Sequence, residues 1–199
     1  MKKIIFWGDG LLVGTTGYAE LLAHHIFLHH PQANVSTSII HGATPATWRD
    51  VLRDAPLHVI GKAPDLVILG LGGADLSLEK SPEEIAHHAQ AALNLMLQKT
   101  QCKVVLLSVV SSFFAEDAQR EACHSLNHRL RELAVDRITW VDLESQVEIF
   151  LNQHRQGLGE KHSLHLDPAR LTPFGRLFLA HHAFELISWP DLNPASETA

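Results

Sequence analysis

Ile4-Ile5-Phe6-Trp7-Gly8-Asp9-Gly10-Leu11-Leu12-Val13-Gly14 begins with four apolar residues and then sets three glycines within seven positions. A short apolar run that stops at glycine reads as a buried strand ending in a tight turn. Further short aliphatic or β-branched runs follow at Val35–Ile40, Leu66–Leu71, Val104–Val110 and Ile138–Val141. With Lys3–Trp7 they make five expected strands.

Helical patterns fill the gaps. Ser81-Pro82-Glu83-Glu84 is a capping box with proline at the first helical position. It launches Ile85, Ala89, Ala92, Leu93 and Met96 along one face. Ala118, Ala122, Leu126, Leu130 and Leu133 make a second stripe, and Thr172-Pro173 opens a last helix carrying Leu177, Ala180, Phe184 and Ile187. Continuous apolar strands separated by helices imply an α/β fold, a parallel sheet wound on both faces. Ligands in such folds sit beyond the carboxyl ends of the strands. Residues 1–187 read as one domain, and 188–199 as a loosely attached polar tail with two prolines.

Composition bounds the function classes. The chain has 199 residues, 46% hydrophobic and 19% charged, with a formal net charge of −6. Such an acidic balance without a basic stripe argues against nucleic acid as the main partner. No stretch approaches the roughly 18 apolar residues of a membrane span. Met1-Lys2-Lys3 resembles the start of a signal peptide, but Asp9 interrupts the apolar run and no small-residue cleavage site follows. A cytoplasmic location is expected. Cys102 and Cys123 give no disulfide framework.

The block Gly8-Asp9-Gly10-Leu11-Leu12-Val13-Gly14 resembles the GDSxxxG motif that opens the SGNH (GDSL) hydrolase family, with Gly10 in the place of the nucleophilic serine. The resemblance continues along the chain. Ile39-Ile40-His41-Gly42-Ala43-Thr44 is similar to the family's Gly-Ile-Ser-Gly-Ala-Thr, which puts Ile39 where a glycine supplies an oxyanion amide. Gly72-Gly73-Ala74-Asp75 is similar to Gly-x-Asn-Asp, with Ala74 replacing the oxyanion asparagine. The last block has two alignments. Leu171-Thr172-Pro173-Phe174-Gly175 resembles the Leu-Thr-Pro-x-Gly that follows the family's Asp-x-x-His pair, so that Asp167 is kept and Arg170 replaces histidine. Alternatively His162-Ser163-Leu164-His165 is the block, with histidine kept and aspartate lost. The first is favoured, because it needs no insertion and starts the helix at Thr172-Pro173.

Membership would imply a three-layer α/β/α sandwich around a five-stranded parallel sheet, the flavodoxin-like SGNH fold. It would also imply ester hydrolysis, for which serine needs a base in reach, the base an orienting carboxylate, and the oxyanion a set of donors. Correlated losses at Gly10, Ile39, Ala74 and Arg170 point instead to a pseudoenzyme that binds a small ligand or protein partner at the former cleft. The expected ligand-binding set is Asp9, Gly10, His41, Gly42, Gly73, Ala74, Asp75, His165, Asp167 and Arg170. Two further readings stand beside it: an unorthodox esterase using His165 or the cleft aspartates, and an interaction subunit whose cleft is plugged by Ile39, Leu12 or Phe113.

Individual residues carry plainer readings too. Asp9 and Asp75 are expected to bind loop amides, and Arg170 to pair with Asp167 or clamp an anion. Fifteen histidines invite a metal site, and His25/His29 share a helix face at i, i+4 spacing. No Cys/His or HExxH pattern accompanies them, so no metal or cofactor is expected. Trp7, Trp48 and Trp140 read as packing aromatics, while Phe113-Phe114 either anchors a loop or forms an exposed binding surface.

Overall fold

β1 (Lys2–Gly8) runs between β2 (Val35–Ile40) and β3 (Leu66–Gly70), followed outward by β4 (Lys103–Leu107) and β5 (Ile138–Val141). All four pairings are parallel, giving a five-stranded sheet of order β2-β1-β3-β4-β5. The computed structural model describes residues 1–13, 17–31, 34–40, 46–154, 163–167, 170–187 and 189, with backbone alone at 166 and 167. The expected tail lies almost wholly outside them.

The period-two alternation of β1 divides the core. Ile4 and Phe6 point to one face, where they join α2 (Ala19–His29), α7 (Leu143–His154) and α8 (Pro173–Leu186). Ile5 and Trp7 point to the other and meet α3 (Trp48–His58), α5 (Pro82–Lys99) and α6 (Asp117–Glu132). Helices on both faces of a parallel sheet are what runs of apolar residues demand, since neither side of such strands tolerates water. The result is the three-layer α/β/α sandwich.

Local signals explain the helix starts. Ser81 accepts the Glu84 N–H with Pro82 at the first helical position. Thr47 and Asp50 cap α3 reciprocally, a box that the sequence reading passed over. Thr172 accepts the Gly175 N–H at 2.9 Å and opens α8.

Three expectations need correction. β4 stops at Leu107 rather than Val110, because the Asn127 side chain takes both the N–H and the carbonyl of Val109 and draws the chain out of the ladder. Leu177 is 52% exposed, since α8 buries Gly175, Leu179, Ala180, Ala183 and Phe184 instead. Ala118 is exposed as well, and the buried face of α6 begins at Cys123. Trp7, Trp48, Phe113 and Phe114 are buried, so the two phenylalanines anchor their loop, while Trp140 is half-buried at the edge of the core. Cys102 and Cys123 are buried free thiols. No helix among the described residues is long and apolar enough to cross a membrane.

Candidate functional site

The carboxyl edge of the sheet is assembled from the loops after β1, β3 and β4 and from a short antiparallel pair, β6 (His165–Asp167) with β7 (Arg170–Leu171). At Gly8 a Cβ would stand 2.5 Å from the Gly70 carbonyl oxygen and 2.9 Å from Leu12. Only glycine lets β1 end this close to β3 and fold back into α1 (Gly10–Val13). The Asp9 N–H donates to Gly70 O at 2.9 Å, and the Asp9 carbonyl accepts the Val13 N–H at 3.0 Å.

The Asp9 carboxylate turns inward. It accepts the N–H of Leu11 at 3.1 Å and those of Gly73 and Ala74, in the first turn of α4 (Gly73–Ser77). Burial raises its pKa to about 6, and the nearby Asp75 charge adds to this, while the three amides pull the other way. Asp75 is wholly buried; it accepts the Trp48 N–H at 3.0 Å and pairs with Lys80 Nζ at 2.7 Å. It therefore fastens the start of α3 to the end of the β3–α4 segment.

Gly10 is half-buried at the head of α1 and carries no group that can attack or donate from a side chain. Ala74 is 9% exposed, and its N–H already points at Asp9. Ile39 stands on β2 beside Phe6 and packs against the core, half-buried. His165 is half-buried on β6, its ring packed edge-on against Phe113 at 5.1 Å between centroids. Arg170 is exposed on β7, opposite Asp167 in the register of the pair. β7 packs against α1, and Arg176 Nε donates to Gly17 O at 2.8 Å, so the last block is brought to the first. His41 and Gly42, with Gly14 and His162, lie outside the described residues.

A family model described as GDSL-like Lipase/Acylhydrolase matches residues 6–169. The chain belongs to the GDSL-like lipase/acylhydrolase family. No curated protein sequence matches it. Among solved structures it is similar to Axe2, an acetylxylan esterase from Geobacillus stearothermophilus, at TM-score 0.77 and 15% identity over 98% of this chain and 97% of that one. It is also similar to LAE5, an alpha/beta hydrolase enzyme from the metagenome of Lake Arreo, Spain (TM-score 0.76, 19% identity, 93% and 94% covered). The acetyl xylan esterase AlAXEase aligns at TM-score 0.74 and 21% identity over 93% and 99%. At these identities the likeness speaks for the fold.

Several polar residues around the site of this GDSL-like chain carried no motif. Tyr18 is buried near Asp9, and burial together with that carboxylate pushes its phenol well above the usual range. Lys80 carries no sequence mark either, since only the fold sets it against Asp75. Beside β4 and β5, Ser108, Asn127 and Glu144 are all buried and bonded to one another or to the intervening backbone. A buried asparagine in a helical stripe was the one available signal, and the apolar reading of α6 passed over it.

Proposed function

We propose that this GDSL-like protein no longer hydrolyses esters and uses the carboxyl edge of its sheet to bind a small ligand or a protein partner. The carrying observation is Gly10: it heads α1 at the motif position of the nucleophile, partly open to solvent, with no hydroxyl. Ala74 supports the reading, because its side chain offers no donor and its N–H is committed to Asp9. Loss of the nucleophile alone removes most of the rate enhancement of a triad, and loss of oxyanion donors removes the remainder. In this reading Asp9 and Asp75 hold the loops, while Gly10, Gly73, His165 and Arg170 face the ligand; His41, Gly42 and Asp167 belong to the ligand-binding set that the motifs imply. A cytoplasmic setting is part of the proposal, supported by two free buried thiols.

One observation favours a second reading. Leu12 and Phe113 are 1% and 2% exposed, Leu12 lying against Gly8 and Gly70 and Phe113 against His165. An edge so closely filled suits an interaction subunit with a shallow surface rather than a ligand cleft.

Purified wild type and Gly10→Ser are assayed on short-chain aryl esters. The proposal expects no turnover above a buffer blank from either protein. Wild-type turnover overturns it and directs attention to His165. Activity in Gly10→Ser alone would show that base and oxyanion donors survive, and that the loss rests on one residue.

A further inference from the structure

We propose that His124, Glu144 and Glu148 form a binding site for one divalent transition-metal ion of the zinc and cobalt class, on the flank of the carboxyl edge and separate from Gly10. The three donors come from two helices, so no sequence spacing marks them: His124 lies on α6, and Glu144 and Glu148 lie one turn apart on α7. One ligand atom from each lies within 4.8 Å of the other two.

The geometry of the inner pair fits a metal. His124 Nδ1 is 3.3 Å from Glu144 Oε1. Two ligands bound to one tetrahedral zinc at about 2.0–2.2 Å also stand about 3.3 Å apart. Glu148 is exposed and needs only to rotate its side chain to close the third position. His124 has a side chain 52% exposed. The ion therefore has a path in, and a fourth position remains for water.

The outer shell is already built. Glu144 Oε2 accepts from Asn127 Nδ2, and Oε1 accepts the Ser111 N–H at 3.2 Å. Asn127 is itself fixed by the Val109 N–H at 2.9 Å and the Val109 carbonyl at 2.7 Å. Carboxylates oriented in this way are the usual support of metal ligands.

Charge gives an argument independent of distance. The Glu144 side chain is 10% exposed, and its ion-pair partner among the described residues is His124. A dication held between the two side chains compensates the buried carboxylate. Imidazole with two carboxylates is a donor set that suits zinc, cobalt or manganese rather than a thiolate-seeking ion.

The histidine-rich surface dictates a local readout, since His25 and His29, stacked at 5.9 Å, will also take up metal. The full-length protein is titrated with Co²⁺ at neutral pH while paramagnetic loss of assigned backbone amide signals is followed. Signals of Ser111, His124 and Glu148 are expected to vanish within one equivalent. His124→Ala and Glu148→Gln, both at exposed positions, should each raise the required Co²⁺ by about tenfold or more. His25→Ala/His29→Ala should leave this response unchanged. Broadening confined to the neighbourhood of His25 and His29, or a Ser111 response indifferent to His124→Ala and Glu148→Gln, would overturn the site.

Discussion

Asp9 Oδ2 lies 3.0 Å from the place where a Cβ on Gly73 would stand, so the acid that ends β1 sits directly on the first turn of α4. That seating binds two loops of the carboxyl edge together through one buried carboxyl. It also makes the edge sensitive to pH.

Between about pH 4 and pH 6 the folded chain keeps a proton on Asp9 that the unfolded chain has released, because its pKa rises from 3.8 to about 6. The contribution of Asp9 to stability therefore falls as pH rises through that window and is flat above it. A shift of this size corresponds to about 3 kcal/mol. Asp9→Asn lacks the titration, so its stability relative to wild type should climb by up to that amount from pH 4 to pH 7. Urea unfolding across this range checks it; a constant difference would show that Asp9 titrates normally.

Lys80 compensates an aspartate with no exposure of its own. Lys80→Met should cost about 3–5 kcal/mol, the usual result of stranding a buried charge. Adding Asp75→Asn should recover part of the loss, since the amide needs no counter-charge. Chemical denaturation of both variants decides it, and a Lys80→Met cost below about 1 kcal/mol would contradict the pairing.

Gly175 makes the tightest approach of any glycine among the described residues: a Cβ there would lie 1.8 Å from the Leu164 carbonyl oxygen. Backbone cannot swing aside as a side chain does, so Gly175→Ala should force α8 away from β6 at about 3 kcal/mol. Gly61→Ala, whose Cβ would lie 3.3 Å from Pro56 O, should stay within about 1 kcal/mol of wild type. Melting temperatures of the two proteins give the comparison.

Asn127→Ala would leave the Val109 N–H and one oxygen of Glu144 without their partner, and the Val109 carbonyl with the weak Cys123 thiol donor in place of an amide. The expected loss is about 3 kcal/mol, because each buried orphan costs about 1–3 kcal/mol. Hydrogen exchange should show faster opening of the 108–113 segment than of β1. Unchanged protection of the Val109 amide would mean that the segment is held by other contacts.

The layered fold was legible from residue type alone. Ile4–Trp7, Leu66–Leu69 and Val104–Leu107 are apolar on both sides, and Ser81-Pro82 and Thr172-Pro173 announce their helices, because strand burial and helix capping are local demands. The GDSL-like motifs were legible for the same reason, as each occupies one loop. Asn127 carried no mark beside its apolar stripe, since its bonds run to Val109 and Glu144, seventeen or more positions away. The end of β4 was lost with it.

Sequence by itself thus determined the five strands, the helices opened by Ser81-Pro82 and Thr172-Pro173 and the glycine in the nucleophile's position, all of them set by side-chain chemistry within a few residues. Only the tertiary structure decided which amides Asp9 takes beyond its own turn, those of α4, that Lys80 answers Asp75, and that His124 meets Glu144. Those pairings join separate elements, and their distances exist only once the helices have packed on the sheet.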